Sequence, residues 1–213
     1  MESETTLSLD TCAERLNGNG FETLIAETPE QARLLFFEQI LPGIEVKTAA
    51  WGDSQTMHAT GVPEALLTRP DIEMIRTFGD DLERVAKIHN RRQALHADLF
   101  LAGCNAVSMS GQLVNLDMIG NRVGPIAYGP HHVVLFAGRN KLTPDLPSAM
   151  ARVRNVAAPL NSKRHGLATP CATSGRCHDC SSPQRICNTW VILEKSFPPG
   201  RVKVVLIDTE LGL

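Results

Sequence analysis

The chain reads as an α/β protein: a largely parallel sheet with flanking helices, followed by a cysteine-rich segment and a C-terminal β-hairpin. Three observations predict it. Strand-like and helix-like stretches alternate through the first two thirds of the sequence. "ADLFLAGCNAVS" (97–108) and "HHVVLFAG" (131–138) are almost continuously apolar, as strands covered on both faces are. After residue 165 the pattern changes to clustered cysteines and then to two strands parted by the turn signal "PPG".

The elements follow in order. "GFETLIAE" (20–27) is expected as a strand that feeds "TPEQARLLFFEQILPG". There Thr28 caps a helix, Pro29 suits its first position and Gln31 completes a capping box. Ala32, Leu34, Leu35, Phe37 and Leu41 supply its apolar stripe, and Pro42-Gly43 ends it. "GIEVKTAA" (43–50) is the next strand, with "WGDSQT" as its exit. A short helix near 63–68 and a strand at 72–78 come next. Residues 80–97 read as an amphipathic helix with Leu82, Val85, Ile88 and Leu95 on its buried side. The apolar strand at 97–108 leads through a turn to a strand at 111–117, and then to the strand at 131–138. A helix starts at Pro144–Asp145 and continues toward Leu160. Two tail strands, "TWVILEKSF" and "GRVKVVLIDTEL", complete the chain. The expected units are an α/β core (1–165), a four-cysteine segment (166–188) and a hairpin joining the core (189–213).

Composition narrows the function classes. A chain of 213 residues buries a core without staples. Its net charge of −2 draws it to neither nucleic acid nor an anionic membrane. Aromatics at 5% argue against a base-stacking platform, so no nucleic-acid partner is expected. The acidic start "MESETTLSLD" lacks the basic, apolar plan of a signal peptide. No apolar run approaches the roughly 20 residues of a membrane helix, so no membrane insertion is expected and the expected location is cytoplasmic. In that compartment thiols stay reduced, and dense cysteines point to metal more than to disulfides.

Four of the six cysteines fall within "CATSGRCHDCSSPQRIC" (171–187), with gaps of five, two and six residues. Cys177 and Cys180 form a C-x-x-C pair suited to two bonds on one metal, and Cys171 and Cys187 lie close enough to fold back on it. Four thiolates are the usual set for an iron–sulfur cluster, although the gaps differ from the bacterial ferredoxin run. Structural zinc is the alternative, although only one of its two usual knuckles is present. Disulfides or ordinary buried cysteines are the third reading. Cys12 and Cys104 read as small apolar core residues.

In open α/β sheets ligands bind at the carboxyl ends of strands. Three loops there carry polar, glycine-containing sequence: "WGDS" (51–54), "SMSG" (108–111) and "GRNK" (138–141). Glycines let backbone amides approach an anion, and Arg139 or Lys141 adds charge. "NLDMIGNRVG" (115–124) gathers Asn115, Asp117, Asn121 and Arg122 between apolar segments. These either face a ligand or form an Asp117–Arg122 ion pair with Asn121 in a turn. There is no Walker A loop, G-x-S-x-G elbow, H-E-x-x-H or G-x-G-x-x-G.

The run "GQLVNLDMIGNRVGPIAYGPHHVVLFAGRNKLTPDLPSAMARVRNVAAPLNSKR", with "ADLFLAGCNAVS" and "WGDSQT" before it, resembles the LUD family, the lactate-utilization domain proteins. The tail "PCATSGRCHDCSSPQRICN…VILEK…GRVKVVLIDTELG" resembles a cysteine-bearing branch of that family. The resemblance implies the fold shared by phosphopentose isomerases, glucosamine-6-phosphate deaminases and coenzyme A transferases. It implies a part in oxidising lactate to pyruvate beside iron–sulfur partner proteins of a lactate-oxidising complex. It favours a 4Fe–4S cluster over zinc on Cys171, Cys177, Cys180 and Cys187. It also implies a ligand site at Trp51, Gly52, Ser54, Asn105, Asn115, Asp117, Asn121 and Arg122.

The first expectation is therefore an iron–sulfur redox component that binds a small organic acid or an anionic cofactor. Asp117 and Arg122 orient the ligand, Arg122 as its clamp, with Arg139 and Lys141 nearby. Two alternatives stand beside it. One is an isomerase- or transferase-like enzyme with a structural metal and Asp117 as acid–base. The other is a non-catalytic assembly subunit.

Overall fold

The computed structural model describes residues 7–79 and 81–213. The acidic start through Thr6, and the expected helix start at Asp80, lie outside them. A six-stranded sheet forms the body of the described chain. It holds β1 (Glu22–Ala26), β2 (Thr48–Trp51), β3 (Glu73–Ile75), β4 (Leu99–Gly103), β7 (His132–Gly138) and β10 (Val202–Ile207), in the order β1-β10-β7-β4-β2-β3. Every pairing in it is parallel. A second sheet, in the order β8-β5-β6-β9, is built from β5 (Ala106–Ser108), β6 (Leu113–Asp117), β8 (Leu142–Thr143) and β9 (Thr189–Leu193). The parallel α/β class expected from the sequence is what the chain adopts.

Helices cover both faces of the main sheet because its central strands are apolar on both. β4 and β10 are buried at every position, and alternate residues feed two cores. On one face α1 (Leu9–Gly18) brings Cys12, Ala13 and Leu16 against Phe100, Val133, Leu135 and Val204. On the other, α2 (Pro29–Leu35), α3 (Gln55–Ala59) and α4 (Val62–Leu66) enclose Leu99, Leu101, Val134, Phe136 and Val205. Thr28 caps α2 as expected, its hydroxyl accepting the Gln31 N–H at 3.2 Å, and Gln31 reaches back to the Glu27 N–H at 2.5 Å. A π turn, Phe36–Ile40, continues that helix, so Phe36 and Ile40 are buried while Leu34 is exposed.

Several elements depart from expectation. The apolar run 97–108 is two strands: the chain leaves the main sheet at Gly103 and enters the second sheet at Ala106. The tail strands are not a hairpin. β9 pairs antiparallel with β6, while β10 slots between β1 and β7 in the main sheet. The "VKVVLI" of β10 is buried throughout, which suits an interior parallel strand and not an exposed hairpin arm. The helix expected over 80–97 is α5 (Arg84–Gln93) plus a 3₁₀ turn, Ala94–His96, and its apolar stripe points outward: Val85 is 77% exposed. α5 docks by polar contacts instead. Asn90 donates to the Arg76 carbonyl at 2.8 Å, and Arg91 lies over the Phe78 ring at 4.8 Å.

The helix from Asp145 runs as α7 (Leu146–Arg152), a π turn (Val153–Ala157) and α8 (Ala158–Arg164). Asp145 caps it, accepting the Ser148 N–H at 2.8 Å. Pro159 sits at the start of α8 and has no N–H to return to the preceding turn, which accounts for the widened π turn before it. Ala149 and Val153 pack this helix on Ala106, Val114 and Leu116 of the second sheet. The cysteine segment, with the short α9 (Pro170–Ser174), lies between α8 and β9.

Candidate functional site

Because the main strands are parallel, their carboxyl ends share one edge. A cavity of about 390 Å³ opens there. The exit of β2 supplies Asp53 and Ser54, the exit of β4 supplies Gly103, Cys104 and Asn105, and the exit of β7 supplies Lys141. The end of β6 supplies Leu116 and Asp117, and α8 supplies Asn161 and Arg164. Leu167 and Ile186 bring the cysteine segment into the wall. Gly103 lets the β2 and β4 exits close up: a Cβ on it would stand 2.2 Å from the Ser54 hydroxyl, which caps α3.

The floor is an ion pair held by an amide. Asp117 accepts the backbone N–H groups of Arg122 and Val123, each at 2.8 Å, and the Arg122 Nε at 3.0 Å. Arg122 Nη2 donates to the Asn105 side chain at 2.7 Å and to the Leu116 carbonyl at 3.1 Å. Asn115 is fully buried beneath, its Oδ1 accepting the Asn105 N–H at 3.3 Å. Arg122 crosses directly over Gly52, where a Cβ would meet its Cγ at 2.8 Å, so only glycine leaves the path open. These bonds occupy Nε and Nη2, which leaves Nη1 as the unengaged nitrogen of Arg122 among the described residues.

Further charged groups complete the wall. Lys141 is 2% exposed, and burial, helped by Arg152, pulls its ammonium down to about 7. It has no carboxylate partner among the described residues. Asp53 bonds Arg164, and its oxygen lies 3.6 Å from His165 Nε2. Burial works to raise the Asp53 carboxyl, but the Arg164 hydrogen bond and charge hold it below the usual range. Burial and Arg164 pull the His165 imidazole below its ordinary value, against the opposing charge of Asp53.

The residues expected from the sequence divide accordingly. Ser54, Asn105, Asp117, Asn121, Arg122 and Lys141 line the cavity. Trp51 lies in the core, its carbonyl accepting from the Thr77 hydroxyl, and Gly52 and Asn115 act from behind the wall. Arg139 points to solvent beside Asp208, at 3.4 Å. The "SMSG" turn is elsewhere: Asn19, at the end of α1, donates to the Ser110 and Gly111 carbonyls at 3.1 and 3.0 Å. It left the site because β5 belongs to the second sheet. Asp53, Arg91, Asn161, Arg164 and His165 also line the cavity and were not foreseen. Asp53 stands inside the "WGDS" turn and was the one signal available; the others reach the cavity only through packing.

The four clustered cysteines are free and half-buried. Cys180 and Cys187 line one groove with Arg185, and Met118 and Ile119 separate that groove from the main cavity. Burial raises the Cys187 thiol, and the nearby Cys177 and Cys180 add to the effect. The loop is tied by Arg185, which donates to the Cys180 and Cys187 carbonyls at 2.7 and 3.1 Å. Asp179, in a left-handed conformation at φ 45°, turns its N–H to Cys177 Sγ at 3.3 Å. In donor chemistry the segment therefore fits a soft metal. No three ligating side chains already stand together as a closed set among the described residues.

A parallel α/β sheet with a cation-rich cavity at its strand ends defines an α/β protein of the open-sheet class. The chain belongs to the LUD domain family, whose sequence model matches residues 9–207. The fold is similar to that in the crystal structure of a DUF162 family protein from Deinococcus radiodurans. That likeness has a TM-score of 0.52 at 14% identity, covering 93% of this chain and 95% of the other. No curated protein matches the chain. No helix among the described residues is long and apolar enough to cross a membrane.

Proposed function

We propose that the chain binds lactate or a related small organic acid at the strand-end cavity. We further propose that it carries a metal centre, a 4Fe–4S cluster in the first instance, on Cys171, Cys177, Cys180 and Cys187. One observation carries the reading: an open, cation-lined cavity has the cysteine segment as part of its wall. In this reading the ligand carboxylate meets Lys141 and Arg122 Nη1, with Asp117 and Asn105 holding the guanidinium in place. Asn121 and Ser54 are available to a hydroxyl or carbonyl oxygen. His165 lines the same space, but its Nε2 accepts from Arg164 at 2.9 Å, so a neutral ring offers the ligand a donor rather than a base. A cluster on the cysteines would supply one-electron transfer, consistent with a role beside iron–sulfur partner proteins in lactate oxidation.

Protein purified without oxygen tests the metal. Iron and sulfide near four each per chain, a visible absorption band and a paramagnetic signal on reduction are expected. A colourless protein with stoichiometric zinc would restrict the segment to a structural role. Titration calorimetry with lactate tests the cavity; Lys141→Met is expected to weaken binding at least tenfold, while unchanged affinity would remove Lys141 from the site.

A further inference from the structure

The cavity is larger and more positive than a three-carbon monoacid requires. Four cations line it, Arg91, Arg122, Lys141 and Arg164, against two side-chain carboxylates, Asp53 and Asp117; Leu213 also lines it and accepts from Arg152 at 3.4 Å. Each carboxylate already has its own arginine: Asp117 holds Arg122, and Asp53 holds Arg164. Lys141 and Arg91 are left over among the described residues. They come from separate parts of the fold, Lys141 from the exit of β7 and Arg91 from α5. Arg91 is anchored by its face, stacked over Phe78, and its Nε is buried with no hydrogen-bond partner. That Nε is closed to water, so an anion in the cavity would meet the terminal nitrogens of the guanidinium, which pair with no carboxylate among the described residues. Size argues the same way. At about 30 Å³ per water-sized group, the six heavy atoms of lactate occupy less than half of the space.

We infer that the ligand carries two anionic groups, a dicarboxylate with one carboxylate met by Lys141 and Arg122 and the other by Arg91. A planar guanidinium fork suits a carboxylate in two-point contact. The inference rests on reading the cavity as an organic-acid site, and it narrows the acid to the dicarboxylate class.

Calorimetry on the full chain, with lactate, succinate, malate and glycerol 3-phosphate as probes, decides it. Succinate or malate is expected to bind at least tenfold more tightly than lactate. Arg91→Met is expected to bring the succinate-to-lactate affinity ratio toward one, and Arg91→Lys to restore part of it; circular dichroism checks that both variants are folded. Equal affinities for lactate and the diacids, unmoved in Arg91→Met, would overturn the dicarboxylate assignment and leave the organic-acid reading standing. Tighter binding of glycerol 3-phosphate than of either diacid would overturn the ligand class. Absence of binding by every acid would overturn both.

Discussion

Lys141 is a cation kept from water without a carboxylate to answer it, and its proton is the price of the cavity. The unfolded chain holds that proton up to about 10.5, while the fold releases it at about 7. Between those values the unfolded state binds more protons, so this group makes stability rise with pH across that window. Lys141→Met is expected to flatten the rise and to leave the protein as stable or more stable at neutral pH. Urea unfolding at pH 7 and about 9.5 measures it, and a variant with the wild-type slope would contradict the assignment. Asp117 is the opposite case, since its carboxylate gathers Arg122 and two backbone N–H groups. The pair is nearly buried, at 7% and 12% side-chain exposure. Removing the acid by Asp117→Ala strands the guanidinium and is expected to cost about 3–5 kcal/mol in denaturant unfolding. The cysteines separate by burial in the same way. Burial raises the Cys12 thiol to about 12 and raises Cys104 also. Without metal or denaturant, a thiol reagent at pH 8 should therefore count four cysteines, and six after unfolding.

At the scale of elements, the close passage of β2 and β4 exits is what shapes the site. Gly103→Ala would push the Ser54 hydroxyl off the Met57 N–H that it caps at 3.2 Å. Loss of the cap alone is worth about 1 kcal/mol, and the shift narrows the cavity mouth. The expected signature is a small loss of stability with a larger loss of ligand affinity, measured by thermal unfolding and calorimetry on one preparation. α5 offers the contrary test. Its apolar stripe was expected inside and lies outside, because Asn90 and Arg91 face the body. Val85→Glu should change stability by no more than about 0.5 kcal/mol; a drop of several kcal/mol would place Val85 in a core. Periodicity tells that a helix has two faces. Which face docks depends on the groups that wait for it.

At the scale of the whole molecule, the cysteine segment and the cavity are one structure. Leu167 and Ile186 form cavity wall, and the Asn188 N–H donates to the Asp117 carbonyl at 3.0 Å. Asn188 also holds the Met118 carbonyl at 3.1 Å. In the proposed reading, stripping the metal is therefore expected to weaken ligand binding in the cavity as well as to release the thiols. Unchanged calorimetric affinity before and after chelation would show that the two sites are independent.

The local order of residues determined the strands, the capped helices, the parallel class and the polar exits "WGDS" and "GRNK", because burial on both faces and capping leave marks within a few residues. It also showed four cysteines close together in sequence, but not whether their sulfurs meet. Tertiary structure alone decided that β10 lies between β1 and β7, that the 97–108 run divides between two sheets, and that Arg91, Arg164 and His165 join the cavity. Those are pairings between segments distant in the chain. A buried strand carries the same apolar signature whatever its neighbours, and a surface-type arginine shows no mark of the cavity that another element builds around it.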